Sequence, residues 1–248
     1  MAKQTGLGDG LLVGGYDLSG DTGGLDSIAG GPAALEMTGI DKYGFERFGG
    51  VRDGRIEWSS WFNKAAGQQH AALKTLPRGD VVVTYLRGRG LGNQAASLVA
   101  KQVNYDGKRS DDAALVFSVE SVANAYGLEW GQQLTPGIRT DTTATNGGSL
   151  DTTQALSFGG QAYLQVTTFT GTDVTVKIQD SADNSSWADV TGLGFTQVTA
   201  ARTSQRLALA NTATIRRYVR AVTTTSGGFS SASFVVMLNK NEIAGVSF

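Results

Sequence analysis

The chain has one histidine, His70, and no cysteine. A metal site built on His70 would need carboxylate partners at helical spacing, yet Gln68, Gln69 and Ala71 flank it. Without cysteine there is no disulfide, thiolate metal site or sulfur nucleophile. His70 is therefore expected to be a surface or interface side chain on a helix. Gly88-Arg89-Gly90-Leu91-Gly92 follows a strand pattern, as phosphate-binding turns do. Its spacing is not the dinucleotide fingerprint, and the next segment reads as another strand rather than a helix. A hairpin tip is the expectation, with Arg87 and Arg89 placed to meet an acidic neighbour. Asp17, Asp21 and Asp26 are spaced more widely than calcium-loop ligands and lack a closing glutamate. Asp180 and Asp183 read as turn residues. Arg78-Gly79-Asp80 is explained by a helix-to-strand turn, and the Asn184-Ser185-Ser186 sequon matters only with secretion. There is no Gly-x-Ser-x-Gly elbow. No catalytic, cofactor-binding or metal-binding constellation emerges, which points to a structural or binding role.

The elements around these residues are mostly strands. Residues 1–31 are glycine-rich and nearly aperiodic, so they are expected to be disordered or pinned against a partner. The aliphatic residues scattered there (Leu11, Leu12, Val13, Leu18, Leu25, Ile28) favour pinning. Asp53-Gly54 suits a tight turn and predicts a hairpin over 51–56. Asn63 is a candidate N-cap for a helix from Lys64 to about Leu76, with Pro77 ending it. Val81–Leu86 reads as a buried strand, and two more are expected near 96–105 and 113–123. Strands with a single helix make residues 32–135 an α+β or helix-flanked β-sandwich domain. Thr142 to Ser149 has linker composition, which places a boundary within 136–154. Residues 155–240 alternate as strands, with turns between, and predict a small β-sandwich. Residues 241–248 are read as a bridging arm, because Ile243, Val246 and Phe248 are apolar yet follow the last strand. The fold class expected is thus mainly β with one flanking helix.

At 248 residues, two domains are the natural prior. The net charge of −1 is spread evenly, so neither half is the polycation that a dedicated nucleic-acid binder would show. The 34 glycines against 3 prolines, without a collagen period, suggest turns and flexible arms. The first residues lack a signal peptide's apolar core, and no apolar run spans a bilayer, so a soluble cytoplasmically made protein without membrane association is expected.

The first half resembles the major tail (tail tube) proteins of siphophages, especially those infecting actinobacteria. The residues that carry this are Gly15-Tyr16-Asp17-Leu18-Ser19-Gly20-Asp21, the stretch Tyr43 through Phe62, and Ser118-Val119-Glu120-Ser121-Val122-Ala123-Asn124. The likeness covers about residues 10–135. Residues 174–190 and 216–220 resemble a β-sandwich decoration domain of virion proteins, which many tube proteins lack. The resemblance implies hexameric rings stacked into a hollow virion tail tube, with strands from each subunit forming a continuous inner barrel. DNA would pass through the lumen without specific binding. Tape measure, tail-terminator and distal tail proteins would be partners, and there would be no catalytic residues or cofactor. Tyr16, Arg87, Arg89, Leu91, Ile243, Val246, Phe248 and the aliphatic residues of the arm would then bridge subunits. Two alternatives are another virion decoration protein and a cell-wall carbohydrate-binding adhesin. The latter would use a platform of Tyr163, Trp187 and Tyr218 on the C-terminal sandwich.

Overall fold

The computed structural model describes residues 5–76 and 79–244. Pro77, Arg78, Val246 and Phe248, which figure in the expectations above, lie outside the described residues.

The fold is mainly β with one short helix. In chain order the first strands are β1 (Gly10–Val13), β2 (Tyr16–Asp17), β3 (Thr22–Glu36) and β4 (Arg47–Trp61). Then come α1 (Gln69–Leu73), β5 (Val81–Leu86), β6 (Gln94–Gln102), β7 (Asp106–Arg109), β8 (Leu115–Ala123) and β9 (Glu129–Gln133). The second half adds β10 (Arg139–Asp141), β11 (Leu150–Asp151), β12 (Gly160–Gly171), β13 (Thr175–Ser181) and β14 (Ala188–Gly194). It closes with β15 (Thr203–Ala208), β16 (Tyr218–Thr224) and β17 (Phe229–Lys240).

One large antiparallel sheet runs β15-β12-β17-β9-β6-β5-β1-β2, and β8, β4 and β3 branch from β6. A second sheet runs β11-β16-β13-β14. It packs on β12 and β17 through Val176, Ile178, Val219, Leu164, Phe234 and Val236, which is the C-terminal sandwich the alternation predicted. A second core, around Ile56, Trp58, Leu73, Leu98 and Val119, underlies β4, β6 and α1. A third joins the halves: Leu12, Val82 and Leu86 pack with Tyr163, Val235 and Met237. The sheet is also continuous there, with Gln132 opposite Leu238. Residues 136–154 carry β10, paired with β17, and β11, paired with β16.

Three local expectations differ from what is observed. Residues 10–13 are a core strand of this chain, with Leu11, Leu12 and Val13 all buried. Each such burial stabilises by about 1.5–3 kcal/mol, against about 1–2 kcal/mol to fix a residue's backbone, so three adjacent aliphatics outweigh the flanking glycines. The helix is shorter than predicted. Asn63 is not its cap: its Oδ1 accepts from the Ala65 N–H at 3.1 Å and closes a turn, while the regular helix begins only at Gln69, capped by Gln68 without a side-chain bond. Asp53-Gly54 is not a turn at all, because β4 runs straight through it. Gly54 pairs directly with Gly30, and Leu128 crosses above both. A Cβ on Gly54 would lie 2.6 Å from the Leu128 nitrogen, and one on Gly30 would lie 2.7 Å from the Leu128 Cβ. Both glycines are needed for close approach, not for a turn. The real reversal lies at 37–46, where the Met37 N–H donates to the Glu46 carbonyl.

Candidate assembly surfaces

The chemical candidates are dispersed and already engaged. His70 sits half-buried in an aromatic ladder, with Phe62 at 4.7 Å and Tyr105 at 5.8 Å between centroids, and its Nδ1 lies 3.3 Å from the Tyr105 hydroxyl. Asp17 accepts from the Ser19 N–H at 3.1 Å. Asp21 is buried and accepts from Asn63 Nδ2 at 2.8 Å and the Gln69 N–H at 2.9 Å, tying α1 to the start of β3. Asp26 is exposed. No group of three acidic or histidine side chains among the described residues is arranged to hold a metal. Asp180 receives the Arg216 N–H at 2.8 Å. Asp183 closes a turn by accepting from the Ser185 and Ser186 N–H groups, and these donors hold its carboxyl well below the usual range. Asp80 pairs with Lys101 at 2.7 Å.

Gly88–Gly92 is the hairpin tip between β5 and β6, with Gly88 and Gly92 at φ 68° and 80°. The Gly88 N–H, which a phosphate would require, donates instead to Asp9 at 2.9 Å. The Asp9 carboxylate also takes Arg87 at 2.6 Å and the Tyr85 hydroxyl at 2.5 Å. Burial and this neighbouring carboxylate push the Tyr85 hydroxyl up to about 12. Arg87 thus finds its acidic partner within the chain. Arg89 is more open, 4.0 Å from Asp17, and Leu91 is half-buried.

The arm residues divide similarly. Leu11, Leu12, Val13 and Leu18 are buried in this chain's own cores, and Leu25 and Ile28 pack partly against them. Tyr16 lies beneath the Arg202 guanidinium at 4.7 Å. Ile243 is exposed. Of the aromatic platform, Tyr163 is buried, whereas Trp187 and Tyr218 are half-exposed and each is stacked by an arginine, Arg220 at 4.2 Å and Arg217 at 5.0 Å.

The surface that stands out was not singled out in the sequence. Beyond the Gly30–Gly54 pair the β3–β4 hairpin extends with almost every residue exposed. It carries Leu35, Met37, Ile40, Tyr43, Phe45, Phe48 and Val51, with Ile40 and Tyr43 fully open. Their signal in the sequence was an apolar density in 35–51 that fits neither strand alternation nor a helical face. β3 pairs only with β4, so its other edge offers unpaired backbone groups among the described residues. On the outward face of β4, Glu57 stands directly opposite Glu120 of β8, with Arg55 3.4 Å from Glu57. Like charges in register cost stability, so folding does not account for that pair.

No protein-family model matches the sequence, and no curated protein matches it. Among solved structures, the chain is similar to a subunit of the tail of an empty GTA particle with C6 symmetry. Identity is 16% and the TM-score 0.39, covering 51% of this chain and 97% of that one. It is also similar to the Dit protein of phage SPP1, at 11% identity and TM-score 0.34 over 93% of this chain and 98% of that one. A third likeness is to a chain of the phage P2 baseplate in its activated conformation with calcium. There the identity is 10% and the TM-score 0.32, over 95% and 99% of the two chains. At these TM-scores the likeness is loose and assigns no function. No helix among the described residues is long and apolar enough to cross a membrane.

Proposed function

We propose that this chain is a non-enzymatic virion protein, the tube subunit of a long phage tail, assembling as hexameric rings stacked into a DNA-conducting tube. One observation carries the reading: the β3–β4 hairpin holds seven large apolar side chains clear of the body. Soluble monomers rarely leave so much contiguous apolar surface uncovered, and a second copy of the chain is the occupant that lets such surfaces repeat indefinitely. The unpaired edge of β3 beside the tip gives the neighbour a backbone to dock on. The outward face of β4 and β8, bearing Glu57, Glu120 and Arg55, has no cationic excess, which suits a wall past which a polyanion slides. Residues 155–240 then form the outward decoration and 241–244, with exposed Ile243, the start of a bridging arm. Tape measure, terminator and distal tail proteins are the expected partners within the virion.

The test is electron microscopy of the purified chain at rising concentration, beside a variant with Ile40, Tyr43 and Phe45 changed to serine. Tubes or six-fold rings from the wild type, absent from a folded triple variant, are the expected result. A wild type that stays monomeric at every concentration and sediments identically to the variant would sink the reading.

A further inference from the structure

Where β9 and the end of β17 meet residues 150–156 there is a cavity of about 300 Å³ with a mainly polar wall. Strand register builds one side of it. Trp130 and Gln132 share a face of β9, and Gln94 of β6 lies directly opposite Gln132. Leu238 faces Gln132 from β17, and Lys240, two residues on, shares its face. Trp130 is 48% exposed at the rim. The Tyr85 ring meets it edge-on at 6.5 Å and 87°, fixing its tilt while leaving half its surface open.

The opposite wall is rigid. The Lys240 ammonium donates to Thr152 Oγ1 at 2.7 Å and to the carbonyls of Gln154 and Arg216 at 2.8 and 3.0 Å. All three donors are spent on the chain itself, so Lys240 holds the wall and does not recruit an anion. Thr153, also in the lining, stands at φ 69°, a conformation that a β-branched residue seldom adopts. The Asp151 carboxylate holds it there, accepting the Thr153 N–H at 2.8 Å, and is itself paired with Arg217 at 2.6 Å. The remaining capacity belongs to other groups. The Gln94 amide, Gln132 Oε1 and the Glu242 carboxylate have no protein hydrogen-bond partner among the described residues.

We propose that this seam cavity binds a neutral sugar, one hexopyranose ring lying on Trp130 with its hydroxyls on Gln94, Gln132 and Glu242. An indole face accepts the C–H face of a pyranose, and amide groups that both donate and accept match vicinal hydroxyls. The volume lies at the lower end of small-molecule sites, which limits the ligand to one or two rings. Anionic sugars are disfavoured, because the cations nearby are already paired while Glu242 is not. The site is remote in sequence from the hairpin tip, and assembly through the tip neither requires nor forbids it.

The experiment is titration of the full chain, by ligand-observed NMR and calorimetry, with glucose, galactose, N-acetylglucosamine and the disaccharides cellobiose, lactose and diacetylchitobiose. Saturable binding of at least one probe is expected, weakened roughly tenfold by Trp130→Ala and by Gln132→Ala and unchanged by Trp187→Ala. Should Trp130→Ala fail to fold, Gln132→Ala and Gln94→Ala carry the same reading. Absence of saturable binding for all six probes overturns the proposal. So does binding that Gln132→Ala and Gln94→Ala leave intact, or binding that Trp187→Ala abolishes.

Discussion

Arg206 of β15 reaches Glu129 of β9 at 2.6 Å, and both side chains are buried where the two halves of the chain meet. Tyr163 donates its hydroxyl to the same carboxylate at 2.6 Å, and Arg206 Nε donates to that hydroxyl at 3.0 Å. Tyr126 closes the far side, with the guanidinium 3.8 Å from its ring centroid. Removing one charge strands the other in a dry site. Arg206→Met is therefore expected to cost about 3–5 kcal/mol, and Glu129→Leu with Arg206→Met together substantially less. Urea denaturation of the single and double variants checks this; equal losses would show that the pairing is not the source.

Gly15 sits at the same junction, at φ 82°, with its N–H donating to Gln165 Oε1 at 2.7 Å. A Cβ there would lie 2.6 Å from the Arg202 Cα and the Val166 carbonyl oxygen. Both obstacles are backbone and cannot swing aside. Gly15→Ala is expected to cost roughly 2–4 kcal/mol, against a change within about 0.5 kcal/mol for Gly20→Ala, whose surroundings are open. Thermal unfolding of the two variants side by side is the check.

Lys240 gives a pH signature. Burial pushes its ammonium down to about 8 from 10.5. Between these values the unfolded chain binds more protons than the folded one, so this group's contribution makes stability rise with pH. The contribution is complete above the unfolded value and is lost as pH falls through about 8. Tyr85 and Tyr163 act oppositely, because burial raises both, but only as pH climbs past the ordinary tyrosine value of about 10. Melting temperature is thus expected to climb between pH 7.5 and 9.5 in the wild type. Lys240→Met should flatten that slope, and an unchanged slope would assign it to another group.

On the acid side, the hydrogen-bonded guanidinium of Arg217 holds the Asp151 carboxyl down to about 2. The stability this gives is present above the ordinary carboxylate value and is lost as pH falls through about 2. Asp151→Asn is expected to lower stability slightly at pH 7, as for an exposed pair, and to remove that same small increment from the acid sensitivity between pH 4 and 2, so that wild type and variant converge at low pH. Acid titration followed by circular dichroism tests it.

Much of the β-architecture is readable from apolar patterning, as a period of two where one face is buried and as a short continuous run where both are. The alternation at 174–178 is of the first kind, and Val81–Leu86 and 234–238, buried on both faces, are of the second. What stayed hidden depends on partners distant in the chain. Asp53-Gly54 carries turn chemistry in its letters, and only the crossing of Leu128, some seventy residues later, explains the glycine. The continuity of the sheet across 132 and 238 is equally nonlocal. Apolarity in the arm suggests a neighbouring subunit, but for Leu11, Leu12 and Val13 the neighbour is the chain's own β5. Of the tip residues, Tyr43, Phe45, Phe48 and Val51 fall within the stretch that carries the resemblance, and Leu35, Met37 and Ile40 lie before it. Nothing in one strand's sequence says that the body stops short of it.

Leu128 is seated over the Gly30–Gly54 pair and Gly127 lies against Arg52, and beside these contacts the ladder slips register between Pro32 and Ala34, with Gly31 at φ 146°. In the proposed assembly that irregularity would serve as a joint beside a fixed point. The free lever extends about 20 Å at the rise of a strand, so a tilt of about 10° displaces its end by roughly 3 Å without breaking a core contact. If the proposed tube forms, a column of such subunits would bend by summing small angles at many joints, keeping its bore intact while its axis curves.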